Sequence, residues 1–159
     1  MRKNIRLIGY DYSSNGSYFI TICTKERKNC LSEISVGEAA LGLPLTELTD
    51  IGKIVNENIK KIGQVYRNAD VIKYVIMPDH IHMILFISDF YEEMTTKSVP
   101  LIINGLKTIS TKQIGYSVWQ RSYYDHIIRN EKEFLQIYDY IENNPVNWAN
   151  NIYNQNIWR

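Results

Sequence analysis

ADVIKYVIMPDHIHMILFI, from Ala69 to Ile87, holds two apolar runs broken once by Pro78-Asp79. Both runs are rich in β-branched residues and the break has turn chemistry. The stretch therefore predicts an antiparallel hairpin with strands over Ala69–Met77 and His80–Ile87. Successive side chains of a strand point to opposite faces. Ile81, Met83 and Leu85 then share a face that can pack under helices, while His80 and His82 share the open face beside the turn. Neutral imidazole is a good ligand for a divalent ion, and an HxH pair on a strand aims two nitrogens at one point. The competing account is two polar residues on a half-exposed sheet, and HxH alone does not separate the two.

Working outward, GSYFITICT (Gly16 to Thr24) follows the turn-like SSNG and reads as a first strand. The short runs NCLSEI and GEAAL, with Ser35-Val36-Gly37 between them, predict a small accessory hairpin. In LTDIGKIVNENIKKIG, Thr49 or Asp50 can cap a helix whose Ile51, Ile54, Val55, Ile59 and Ile62 fall at helical spacing, with Gly63 to end it. A polar loop, SDFYEEMTTKS, follows the hairpin. A second helix is predicted over Pro100–Gly115, proline near its start. A fourth strand is predicted around His126 to Arg129, and a last helix over Glu131–Asn144, stopped by Pro145 and followed by an irregular tail. Strand, helix, strand, strand, helix, strand is the order of an α+β, ferredoxin-like fold. The expectation is one antiparallel sheet with helices on one face, a C-terminal helix appended, and a single domain over 1–159.

A net charge of +1 on 159 residues argues against a nucleic-acid binder held by bulk electrostatics. The charge is unevenly spread. Arg2, Lys3, Arg6, Lys25, Arg27 and Lys28 make the first segment basic, and Glu33, Glu38, Glu47, Asp50 and Glu57 make the next one acidic. Cys23 and Cys30 match neither a zinc site nor a disulfide framework, so reduced thiols are expected. The opening residues lack the apolar core of a secretory signal, and no stretch is long enough to span a bilayer. The expectation is a soluble cytoplasmic protein with no membrane partner.

The last helix adds chemistry. At about 100° per residue, Phe134, Ile137, Tyr138 and Ile141 form an apolar stripe. Tyr140 falls off it, beside Glu133, Gln136, Asn143 and Asn144. Gln136 and Asn144 each lie one turn from Tyr140, so either amide can reach what the phenol reaches. A tyrosine on a polar helix face is commonly a surface residue; joined to a same-face HxH pair it suggests a nucleophile beside a metal. A phenol, with a pKa of about 10, is a poor nucleophile unaided. A divalent cation polarises a phosphodiester under attack, and a phosphotyrosine would conserve the bond for rejoining.

MPDHIHMIL resembles the MP-N-H-h-H segment (h apolar) of the HUH single-tyrosine transposases. WQRSYYDHIIRNEKEF followed by YDYIENNPVNW, together with the opening IRLIGYDYSSNGSYFITICT, resembles their REP-associated tyrosine transposase (IS200-like) branch. The resemblance implies a metal-dependent single-stranded DNA endonuclease and strand transferase that cuts next to hairpins of palindromic repeats. It implies that His80 and His82 bind a divalent ion, Mg2+ or Mn2+. Tyr140 would become joined to a 5′-phosphate and release a 3′-hydroxyl. The third ligand falls on Asn144 or on Gln136. Asp79 stands where the motif more often has asparagine, as a carboxylate that tunes the metal or caps the turn. In this context the amino-terminal basic cluster becomes a candidate for contacting the DNA hairpin's backbone. Arg121 and Arg129 are candidates for phosphate or for surface ion pairs, and Tyr123 and Tyr124 for base stacking or sheet-edge packing. His126 is read as hydrogen-bonded within the last strand, in preference to a ligand role. Monomer and homodimer are both permitted. The alternatives are a non-catalytic hairpin-binding protein derived from a transposase, and a metal-dependent phosphodiesterase acting on small nucleotides.

Overall fold

The computed structural model describes residues 16–36, 43–88 and 98–157, with side chains described as far as Asn151. In chain order these form β1 (Gly16–Cys23), β2 (Ser32–Ser35), β3 (Leu45–Leu48), α1 (Asp50–Lys60), α2 (Ile62–Val65), β4 (Ala69–Ile76), β5 (His80–Ile87), α3 (Val99–Ile114), β6 (Tyr124–Ile128), α4 (Glu131–Glu142) and α5 (Asn144–Ile157). A four-stranded sheet takes the order β4-β5-β1-β6 with every neighbour antiparallel, the ferredoxin-like arrangement expected from the element order.

The hairpin that decides the topology closes as predicted. Pro78 and Asp79 form the turn, and the Met77 amide donates to the His80 carbonyl at 2.8 Å. β5 lies second in the sheet, between β4 and β1. Tyr18, Ile20 and Ile22 of β1 and Ile81, Met83 and Leu85 of β5 face α1 and α3, where Val55, Ile59, Ile102, Ile103 and Leu106 complete the core. β5 is buried along nearly its whole length, histidines included. Its second face is therefore not open to water as the sequence reading had it: α4 covers that side, contacting β4 and β5.

Local chemistry explains the helix starts. Thr49 caps α1 by accepting from the Gly52 amide at 3.0 Å. Gly115, at φ +97°, ends α3, and Asn130 caps α4 by accepting from the Glu133 amide at 2.9 Å. Gly52 is required for a different reason: a Cβ there would sit 1.9 Å from the Leu31 carbonyl oxygen. Gly52→Ala is expected to cost about 1–3 kcal/mol, the range of an overpacked core. Urea denaturation would show it as a lower midpoint at unchanged slope.

Several boundaries differ from the sequence reading. The accessory ribbon pairs Ser32–Ser35 with Leu45–Leu48, while GEAAL lies outside the described residues. Gly63 does not end α1. The chain passes through Lys61 in the right-handed helical region and adds the short turn of α2, so Gly63 lies inside it. The fourth strand begins at Tyr124, earlier than His126. α4 ends at Glu142, with Asn143 as its C-cap, short of the expected Asn144, and Pro145 lies in the first turn of a further helix rather than before an irregular tail. Proline is tolerated in a first helical turn, where no intrahelical N–H bond is lost, and α5 starts at Asn144.

Candidate active site

Strand register assembles the site. On the α4 side of the sheet, His80 lies opposite Cys23 and His82 opposite Thr21. Tyr124 flanks Thr21 from β6, and His126 flanks Phe19. The His80 and His82 ring centroids are 4.5 Å apart. α4 crosses above them and sets Tyr140 with its ring 5.3 Å from His82 and 6.1 Å from Phe19. Tyr140 is 48% exposed, so the phenol borders solvent on one side and the histidines on the other. Trp148 of α5 closes the far side, 6.0 Å from His80.

Both imidazoles are buried. Burial pushes the His82 pKa down to about 3, helped by the neighbouring His80 and Arg27. The His80 pKa is also lowered by burial, although Asp79 pulls it the other way. Both rings are thus neutral near neutral pH, the form that ligates metal. Each is held at Nδ1: His82 by the Thr21 hydroxyl at 2.8 Å, and His80 by Asp79 Oδ1 at 2.6 Å. The buried Asn144 side chain lies near enough to His80 to favour its protonated form slightly, and its Nδ2 donates to the Tyr140 carbonyl at 3.5 Å.

This donor set fits a divalent ion of the kind the sequence resemblance implies. It comprises two neutral imidazoles, each oriented by an oxygen at its other nitrogen, beside an amide that can present its oxygen. Among the described residues no group of three or more His, Cys, Asp or Glu side chains is placed to hold a metal. Gln136 is exposed on α4, whereas Asn144 is buried against His80.

The remaining residues singled out in the sequence scatter. Arg27 is drawn into the site, paired with Asp79 at 2.8 Å. Lys25 and Lys28 line a groove of about 210 Å³ with Tyr116, Ser117 and Val118. Arg121 lines an adjoining groove of about 440 Å³, with Lys107, Lys112 and Ser117. Arg129 lies past Ile128, which pairs with Ser17 at the end of β1 away from the histidines. Arg2, Lys3 and Arg6 lie outside the described residues. His126 bonds not within its strand but to Glu133 of α4. Tyr123 is buried, while Tyr124 is 47% exposed, with its ring 6.5 Å from Phe19. Sequence reasoning missed Phe19, Thr21 and Trp148, and it grouped Arg27 with the basic cluster facing DNA rather than beside the histidines. The alternation of GSYFITIC placed Phe19, Thr21 and Cys23 on one face, but only strand pairing shows that this is the histidine face.

The IS200-like transposase family model matches residues 12–144. The chain belongs to the IS200-like transposase family. This family member is 34% identical over 168 residues to an uncharacterized protein of Haemophilus influenzae, covering 92% of this chain and 89% of that one. It is 24% identical over 136 residues to the REP-associated tyrosine transposase of Escherichia coli (strain K12), covering 85% and 69%. In fold it is similar to a REP-associated tyrosine transposase solved bound to a REP hairpin, with a TM-score of 0.64 at 22% identity and coverage of 89% and 73%. No described helix of this transposase-family chain is long and apolar enough to cross a membrane.

Proposed function

We propose that this transposase-family chain is a metal-dependent single-stranded DNA endonuclease and strand transferase that cuts next to hairpin elements through a covalent 5′-phosphotyrosine on Tyr140. The observation that carries the reading is the packing of the tilted Tyr140 ring against His82, 5.3 Å between ring centroids, beside a pair of buried imidazoles. His80, His82 and Asn144 would hold a divalent ion, Mg2+ or Mn2+. When bound, such an ion polarises the scissile phosphate and offsets the charge that develops on its oxygens.

The chain's own groups supply the rest. Tyr140 Oη attacks phosphorus and its proton passes to the solvent it borders. The bond to the 3′-oxygen breaks, that oxygen takes up a proton as a free 3′-hydroxyl, and the 5′-phosphate stays on Tyr140. Attack by another 3′-hydroxyl reverses the step and joins two strands. The grooves lined by Lys25, Lys28, Lys107, Lys112 and Arg121 suit the hairpin's phosphates. The same reading takes the chain as a single catalytic domain working as a monomer or homodimer.

Incubation with single-stranded hairpin DNA and Mn2+ or Mg2+ tests the reading: a denaturation-resistant protein–DNA adduct is expected, and none in chelator. Retarded DNA without adduct would instead identify a hairpin-binding protein without catalysis. Neither result, with small cyclic or linear phosphodiesters hydrolysed, would identify a nucleotide phosphodiesterase. Tyr124, exposed beside Phe19, has the placement of a stacking platform for an unpaired base. Base–aromatic stacking contributes about 1–3 kcal/mol, so Tyr124→Ala is expected to weaken single-strand binding roughly tenfold. Fluorescence anisotropy with labelled DNA at fixed salt would measure it, and unchanged affinity would exclude the role.

A further inference from the structure

We infer that Arg27 and Asp79 form a positioning pair that fixes the His80 ring with its proton on Nδ1 and its lone pair on Nε2, ready for the donor set shared with His82 and Asn144. The inference rests on the reading of His80 as a metal ligand and assigns a role to two residues outside that ligand set.

Two contacts compete at His80 Nδ1: Arg27 Nη2, which can only donate, lies at the long limit of 3.5 Å, and the much shorter contact with Asp79 outweighs it. Asp79 is 6% exposed and places Oδ1 2.6 Å from His80 Nδ1. An ionised carboxylate only accepts hydrogen bonds, so Nδ1 is the donor and the neutral ring keeps its lone pair at Nε2. The carboxylate is itself clamped. Arg27 Nε lies 2.8 Å from Asp79 Oδ2 and Nη2 lies 3.3 Å from Oδ1, a fork that sets the plane of the carboxylate as well as its position. The remaining guanidinium nitrogen, Nη1, donates to Cys23 Sγ at 2.7 Å, and Cys23 is the residue paired with His80 across the strands.

The backbone is bent to put Arg27 there. After Thr24 the chain makes a tight turn in which Glu26 and Arg27 take φ of 56° and 54°. The left-handed region is unfavourable for residues with a Cβ, and such conformations persist where surrounding contacts over-determine them. Those contacts tie this turn to the Pro78-Asp79 turn. The Thr24 amide donates to the Asp79 carbonyl at 2.9 Å, and the Thr24 hydroxyl lies 3.0 Å from the same oxygen. The Cys30 and Leu31 amides both donate to the Pro78 carbonyl, at 2.9 and 3.0 Å. Both members of the pair thus ride on one hydrogen-bonded unit. His82 differs, since its Nδ1 meets only the neutral Thr21 hydroxyl. A carboxylate at the far nitrogen raises the basicity of a ligating imidazole, which makes His80 the stronger donor of the two.

Nitrogen-15 NMR of the metal-free protein at neutral pH reads the tautomer directly, and titration with Mn2+ alone, followed by its electron paramagnetic resonance signal, reads affinity. Wild type is expected to show His80 protonated on Nδ1. In Asp79→Ala and Arg27→Ala the ring is expected to become a mixture of tautomers, with Mn2+ affinity falling about 10–100-fold, the range for loss of an outer-shell partner. Asp79→Asn, which keeps an acceptor oxygen, is expected to retain the Nδ1–H tautomer and most of the affinity. Arg27 is half-exposed, so its variant tests the pair even if Asp79→Ala fails to fold. A wild-type ring protonated on Nε2 would overturn the inference, as would an unchanged tautomer in Arg27→Ala. Asp79→Asn behaving like Asp79→Ala would overturn it too. Failure of the wild type to bind Mn2+ would strike the metal-ligand reading instead, and the tautomer would still decide the pair.

Discussion

Tyr140→Phe is expected to abolish the covalent adduct with single-stranded hairpin DNA and to slow strand cleavage by roughly 10⁴–10⁶-fold, the scale on which loss of a covalent nucleophile slows other enzymes. The substitution removes one oxygen and keeps the ring that packs at 5.3 Å on His82 and 6.1 Å on Phe19. Tyr140 is 48% exposed, so the change in folding stability should stay within about 0.5 kcal/mol. Hairpin affinity should also hold, because the phenol oxygen matters only once a phosphate is attacked. Gel analysis of the adduct, anisotropy and a thermal melt on one preparation separate these effects. Cleavage at the wild-type rate by Tyr140→Phe would rule out the phosphotyrosine route.

His82→Ala is expected to remove metal binding and, with it, cleavage. In wild type, Mn2+ at about 100 times its Kd should raise stability by about 2.7 kcal/mol; the variant should show no rise. His82 also predicts how the metal-free protein responds to acid. Its folded pKa of about 3, set mainly by burial, lies below the ordinary 6.5. Unfolded chains therefore take up a proton at this residue over a range where the folded chain refuses it. The sign follows: stability is complete above pH 6.5 and is lost progressively as pH falls toward 3, by at most about 1.4 kcal/mol per pH unit from this group. His80 is shifted in the same direction. His82→Gln should flatten the slope between pH 6.5 and 4.5 in urea titrations, and an unaltered slope would mean that other groups govern acid unfolding.

The fold was legible because its signals are local. Strand composition on both sides of Pro78-Asp79, the Thr49 cap and the proline near the start of α3 each act within a few residues. Where one residue can signal two things, the reading failed: Pro145 reads as a helix stop and equally suits the first turn of a helix, and only the packed chain shows that it lies in α5. The ribbon partner of Ser32–Ser35 was misplaced because hairpin pairing depends on what the intervening loop permits, which composition does not specify.

Of the candidate site, sequence alone settled which side chains share a face: His80 with His82 by strand alternation, and Tyr140 apart from the α4 stripe by helical angle. It could not settle what those faces meet. The histidine face was read as open and is roofed by α4, and that burial is what keeps both rings neutral. Gln136 and Asn144 were equivalent in the helix pattern and differ in the structure: Gln136 is exposed on α4, whereas Asn144, the first residue of α5, is buried. Arg27 carried no signal beyond its charge, and reaches Asp79 only because a left-handed turn folds it back across β1. Periodicity belongs to the chain's own geometry and is written in order of residues; encounter between elements depends on register, crossing and turn conformation, which exist only once the sheet has formed.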